Sequence, residues 1–374
     1  MIIGGRKMSN CYTCNVELDK SNQSIEHIIP NAIGGRLEST DLLCRDCNSK
    51  YGYKSEAKLM SQLNFYANFL MIKRDRGNPQ PVIMENQKNG KKYSVNHEGI
   101  PTIDKPIFNH EEKDGKIHFS ITARNMEEGR KIIKKLSKQY KNMNVEEILK
   151  EAENSEEYIK EPLHKTITIG GKDVLPAVLK MALNYYIFKT GDILSVKDAI
   201  EDLKTDKIEP IVLEKRLYNL DDEEVSHCIY LRGSQTEKKL YAIIELFNIN
   251  QFVVKLSEKY NLPDFEDLYV FDVLLSSEKS KFIKYKPDFN FIFGFTYPSS
   301  NPDFQIAQDA ANRVIGIGYK RQQDKHMQRI IGKAYDDTIG RMIPEGGILT
   351  QEASNCFAKK VAEDFVEYYL RMRK

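Results

Sequence analysis

Apolar positions repeat along this chain with two different periods. From Asn48 onward Tyr51, Leu59, Met60 and Leu63 share one broad face, which predicts a helix through Lys58 and Phe65 towards Lys73. Further on, 125–140 carries the stripe Met126, Ile132, Ile133 and Leu136 among lysines, and 145–153 reads as a shorter charged helix. The run 174–188 is apolar almost all round and stops at Gly191, so it reads as the central buried helix of a larger domain, with a glycine C-cap. Its tyrosines, Tyr185 and Tyr186, read as core side chains. Helix is expected again over 307–315, 321–339 and 351–373, the last after Thr350 as N-cap.

Period-two stretches predict strands. Ser24 to Ile29 alternates loosely and ends at Pro30, which lacks an N–H; Leu42-Leu43 is the expected partner, with Gly34-Gly35 turning the chain between them. The pairs 82–87 with 92–96 and 107–110 with 116–122 flank Asn89-Gly90, a type I′ hairpin signal, and Asp114-Gly115. Residues 166–169 are expected to form a further short strand. An antiparallel sheet is expected from 209–217, 225–232, 239–247 and 251–256, with 289–295 as a further strand. The break Gly77-Asn78-Pro79-Gln80-Pro81 divides the chain into 1–76 and 77–374.

Composition narrows the class. The chain has 374 residues, 41% of them hydrophobic and 10% aromatic, enough to bury a substantial core. Its 56 basic and 54 acidic side chains nearly cancel, so any surface for nucleic acid is local. No run approaches 18 apolar residues and the start is too short for a signal sequence, so a cytoplasmic chain with no membrane partner is expected.

The four cysteines of the first fifty residues change the picture most. Cys11/Cys14 and Cys44/Cys47 are two Cys-x-x-Cys pairs, a spacing that places four thiolates around one structural zinc ion with no position left for water. Cys228 and Cys356 have no such partners. Between the pairs lies Glu26-His27-Ile28-Ile29-Pro30, then Gly34-Gly35, and Asn48 follows Cys47 directly. In these features the first sixty or so residues resemble the HNH endonucleases, whose ββα-metal module carries an acid-His pair on its first strand and a C-x-x-C-N knuckle opening its helix. The resemblance implies an α+β chain in which a zinc-stabilised ββα-metal module precedes a larger domain with antiparallel sheet and C-terminal helices.

What the resemblance implies agrees with phosphodiester chemistry. Hydrolysis needs a base for the attacking water and a cation beside the leaving oxygen. His27 is the expected base, and Glu26 and Asn48 supply hard oxygen ligands suited to Mg²⁺ or Mn²⁺. Adjacent strand residues point to opposite faces, so Glu26 and His27 both serve one cleft only if the strand is irregular there. The family's Asn before the second strand is absent, and Ser39, Thr40 or Asp41 is left to brace the histidine loop. Arg36, Lys50, Lys54 and Lys58 are candidate phosphate contacts, followed by Lys73, Arg74 and Arg76, with the basic face Lys320, Arg321, Lys325, His326 and Arg329 as a weaker second candidate. His97, His110 and His118 read as ordinary sheet or turn residues. The expected function is metal-dependent cleavage of DNA, RNA being the other polymer this chemistry serves. A homo-oligomer or an activating partner is compatible with it, and the layout is similar to that of bacterial antiphage effectors. The alternative is a zinc-stabilised module that binds nucleic acid or protein without cutting.

Overall fold

A computed structural model describes residues 10–113, 116–140, 144–153, 159–205, 215–294 and 304–372. They form two compact units, one of 1–80 with 167–324 and one of 81–166 with 325–374. The expected break at 77–81 lies at a unit boundary, but the N-terminal module shares its unit with 167–324. The architecture is α+β with antiparallel sheets and C-terminal helices. No helix among the described residues is long and apolar enough to cross a membrane.

In the first unit the two-residue strand Glu26–His27 pairs antiparallel with Glu38–Ser39, and Leu42-Leu43, the expected partner, are buried loop residues instead. The reason lies in the turn between them. A Cβ on Gly35 would come within 1.9 Å of the Ile29 carbonyl oxygen, so the chain doubles back tightly and reaches its partner at Glu38. The helix begins earlier than expected, at Arg45–Tyr51, and continues through one π-helical turn, Gly52–Glu56, into Ala57–Phe69.

Leu175–Thr190 is the central helix, buried from Leu175 through Ile187 and ended by Gly191 at φ 69°. It packs with the module's Ile28, Ile33, Leu43, Leu59 and Leu63 and with one face of a five-stranded sheet in a single core. The sheet runs Asn250–Ser257, Lys239–Leu246, Ser226–Ser234, Phe265–Asp272, Ser277–Glu278 in spatial order. Both of its faces are covered. Ile229, Leu231, Ala242 and Ile244 meet the central core, while Cys228, Tyr230, Tyr241 and Ile243 face a second cluster with Phe289 and Ile292.

Several expectations change. Residues 289–295 are not a strand: Phe289–Gly294 is a short helix, because Asp288 Oδ1 accepts from the Asn290 and Phe291 N–H groups and caps it. The stretch 166–169 forms no strand; Ile167 and Ile169 pack on the core, and the Gln62 side chain holds both backbone groups of Gly170. The candidate strand 209–217 falls mostly outside the described residues, and 215–217 is not strand. The helices expected at 307–315 and 321–339 are one, Phe304–Asp337. Of the two glycines between them, Gly318 serves packing, since a Cβ there would sit 2.5 Å from the Phe69 ring, whereas one on Gly316 would meet nothing within 4 Å.

In the second unit a four-stranded sheet runs Pro101–Ile103, Lys92–Val95, Val82–Asn86, Leu163–His164, beside the hairpin Ile107–Lys113 with Lys116–Thr122 and the helices Met126–Gln139 and Gln351–Met372. The turn at Asn89-Gly90 is not type I′, for only Gly90 has positive φ, 68°.

One buried histidine ties module to sheet. The fully buried His227 has Nε2 2.9 Å from the Ile33 carbonyl oxygen and Nδ1 3.0 Å from the Phe247 N–H, so Nε2 carries the proton and Nδ1 accepts. Burial pushes its pKa down to about 4. Between about pH 6.5 and 4 the unfolded chain therefore takes up a proton that the folded one refuses, and stability falls with pH. The expected loss is about 3 kcal/mol, read as a drop in denaturant midpoint that His227→Gln flattens.

Candidate active site

The two knuckles bring the four sulfurs together. Cys11, Cys14, Cys44 and Cys47 place their Sγ atoms within 4.8 Å of one another, and the 3.7 Å between Cys14 and Cys44 is what about 2.3 Å Zn–S bonds give in a tetrahedron. Among the described residues this is the one group of three or more His, Cys, Asp or Glu side chains placed to hold a metal ion. The donor set fits zinc. Asn15, at φ 61°, closes the first knuckle by donating its N–H to the Cys11 carbonyl, and Cys44 stands at the N-cap of Arg45–Tyr51, which places Cys47 and Asn48 in its first turn.

Glu26 and His27 obey strand alternation and face different partners. His27 is half-buried; its Nε2 lies 3.3 Å from Asp75 Oδ2 and 3.5 Å from Glu38 Oε2. Asp75 also pairs with Arg36, whose Nη2 donates to the Lys73 carbonyl at 2.9 Å. Asn31 completes the brace, giving Nδ2 to Asp75 Oδ2 at 2.7 Å and to the Gly35 carbonyl at 3.2 Å, and accepting the Asp75 N–H at 3.1 Å. Asn31 and Asp75 thus hold the histidine loop, whereas Ser39, Thr40 and Asp41 bond within their own turn. Burial lowers the His27 pKa, and Arg36 adds to this while Glu38 opposes it, so the neutral imidazole is favoured.

Glu26 points the other way, into the core. Its carboxylate is 3% exposed and lies 2.7 Å from Lys180 Nζ, and its Oε1 also accepts from Asn184 Nδ2 at 2.8 Å. Lys180 is itself fully buried and donates to Glu56 Oε1 at 2.8 Å and to Asn48 Oδ1 at 3.2 Å. Burial opposes the charge on Lys180, but Glu56 and Glu26 outweigh it and hold the ammonium above the ordinary lysine range. Burial likewise lifts the Glu26 carboxyl, a rise that Lys180 limits. The Asn48 amide nitrogen is also engaged, 2.6 Å from Ser24 Oγ. Glu26 and Asn48 therefore converge, as their expected ligand roles require, on a cation that the chain itself supplies. In this arrangement the site does not fit an exchangeable divalent ion: the two oxygens are spent on an ammonium, and Glu26 and Lys180 are both buried.

Among the other candidates, Arg36 is drawn into the His27 cluster, Lys58 pairs with Asp173, and Lys50 lies 5.9 Å from the Tyr51 ring centroid. Lys50, Lys54 and Lys58 are exposed on the segment that follows the second knuckle. Of the second basic face, Lys320 pairs with Glu223, and Arg321 and Gln322 donate at 3.1 Å to the Leu70 and Phe69 carbonyls that end Ala57–Phe69. The residues that sequence reasoning overlooked are Glu56, Asp75, Lys180 and Asn184. The signal for the last two was present, as lone polar positions in an apolar run with no solvent-facing side.

Residues 11–64 match the family model of the HNH endonucleases. No curated protein and no solved structure matches the chain significantly.

Proposed function

With residues 11–64 an HNH endonuclease module, we propose that this protein hydrolyses phosphodiester bonds in DNA, with His27 as the general base. The observation that supports this best is the braced, neutral imidazole. A carboxylate only accepts, so Nε2–H donates to Asp75 and Nδ1 is left to take the proton of the attacking water. Asp75 orients the ring and favours the imidazolium once it forms. Lys50, Lys54 and Lys58 are proposed to contact backbone phosphates. No step is drawn through a divalent ion at Glu26 and Asn48, where Lys180 already sits.

That same ammonium favours a second reading, a zinc-stabilised module that binds nucleic acid or protein without cutting. Plasmid cleavage by the zinc-loaded full chain, with Mg²⁺, with Mn²⁺ and with chelator, separates the two. Under the first reading His27→Ala lowers the rate roughly a hundredfold with zinc content unchanged, and the acid limb of the pH–rate profile lies below 6.5, since the base must be neutral and its pKa is lowered. Under the second there is no cleavage to lose. A labelled RNA substrate run in parallel decides the sugar.

A further inference from the structure

The first unit has a cavity of about 660 Å³ well away in sequence from the HNH module, and the charged part of its lining is mostly basic: Lys215, Arg216, Lys284 and Arg313 against Asp309, among uncharged residues that include Tyr285. The volume is that of a ligand site rather than of a single ion. Arg313 is its unusual feature. Nε, Nη1 and Nη2 of its guanidinium are all buried, and none has a hydrogen-bond partner among the described residues. A charged group desolvated in this way is costly unless something pairs with it.

Among the described residues, the carboxylates that could have served are committed elsewhere. Glu245 accepts from Arg216 at 2.8 Å and is held by Asn248 and Gln251 at 3.2 and 3.3 Å; Glu224 pairs with Lys281 at 2.5 Å and accepts from Ser226 at 2.9 Å. Asp309, one turn earlier on the same helix, accepts from Gln305 at 2.7 Å. Arg216 is satisfied by Glu245 and the Asn248 carbonyl. Burial, and after it the Arg216 guanidinium, weigh against the Arg313 charge, and Glu224 and Glu245 offset them only in part. What is missing, among the described residues, is an anion paired with Arg313.

We propose that this cavity binds a phosphate-bearing ligand, with Arg313 as its central contact. The planar guanidinium fork suits a phosphate held by two parallel hydrogen bonds, and Lys284 and Lys215 add point charges at the rim. Tyr285, whose ring centroid lies 5.4 Å from Lys215 Nζ, offers an aromatic face for a base. Free nucleotides and the backbone of a nucleic-acid strand share this chemistry, and the inference stands whether or not His27 cuts.

The test is calorimetric titration of the zinc-loaded full chain, without divalent ions, by inorganic pyrophosphate, a nucleoside triphosphate and a short single-stranded oligonucleotide. Saturable binding of at least one probe is expected, weakened tenfold or more by Arg313→Met, unchanged by His27→Ala, and unchanged or tightened by Asp309→Asn. A preference for the triphosphate or for the oligonucleotide identifies the source. Arg313→Met removes an unpaired charge and is expected to keep its Tm; Lys284→Met is the second probe of the same site. No binding of any probe, or binding that neither Arg313→Met nor Lys284→Met weakens, overturns the proposal. So does a Tm lowered equally by Arg313→Met and Asp309→Asn without probe binding, which would make Asp309 the partner of Arg313.

Discussion

Removing zinc is expected to melt the N-terminal module and to destabilise the whole first unit with it. Ahead of its helix, which begins at Arg45, the module has little regular structure to hold it: two strands of two residues each, one 3-10 turn at Asn31–Ile33, and loops that carry Ile28, Ile29, Leu42 and Leu43 into the interior. A four-thiolate zinc site contributes on the order of 10 kcal/mol to a small domain, comparable to the whole stability of most domains. Because those side chains share one core with Leu175–Thr190 and the large sheet, the loss cannot stay local. Cys44→Ser should therefore lose one zinc ion per chain, lower the Tm by tens of degrees or abolish soluble expression, and open 11–64 to proteolysis. Cys228→Ala, buried in the second cluster, and Cys356→Ala, exposed on the last helix, should keep the full zinc content. If Cys44→Ser left metal content and Tm unchanged, the four sulfurs would be ordinary thiols.

The zinc frame was legible because metal ligation is written in covalent spacing, which tertiary context cannot alter. The central helix was legible for a similar reason: an apolar run closed by Gly191 has one way to satisfy its backbone and its side chains. Elements set by capping or packing were less so. Phe289–Gly294 has strand-like composition, and only Asp288 turns it into helix. The strand Phe265–Asp272 is not among the expected ones; its charged positions are accommodated in the sheet because Glu266 pairs with Lys286 and Asp267 with Lys189.

In the candidate site the residues were legible but their geometry was not. Glu26-His27 announces chemistry, yet the pleat sends one side chain inward to Lys180 and the other outward to Asp75. Asp75 lies 48 positions beyond His27 and Lys180 lies 154 beyond Glu26, each joined to its partner only by the fold. No local pattern marks such partners. A buried lysine in an apolar helix is the one sequence-level warning, for a charge there must be paired.

Replacing Lys180 by methionine is the substitution that asks most of this site. Methionine fills similar space but leaves Glu26 and Glu56, each within 2.8 Å of the ammonium, facing one another without a cation. Breaking a buried ionic cluster by removing one partner costs about 3–5 kcal/mol, so the Tm should fall by several degrees. The vacated centre is ringed by two carboxylates and the Asn48 amide oxygen, a hard-oxygen set suited to a small divalent ion. Lys180→Met should therefore gain one Mn²⁺ per chain, visible by electron paramagnetic resonance, and Mn²⁺ should restore part of the lost Tm. Zinc-loaded wild-type protein should take up none there. Adding Glu26→Gln to the variant should remove the new site. If instead wild-type protein bound one Mn²⁺ that Glu26→Gln abolished, the ammonium would be displaceable, and Glu26 and Asn48 would hold the divalent ion that the HNH resemblance implies.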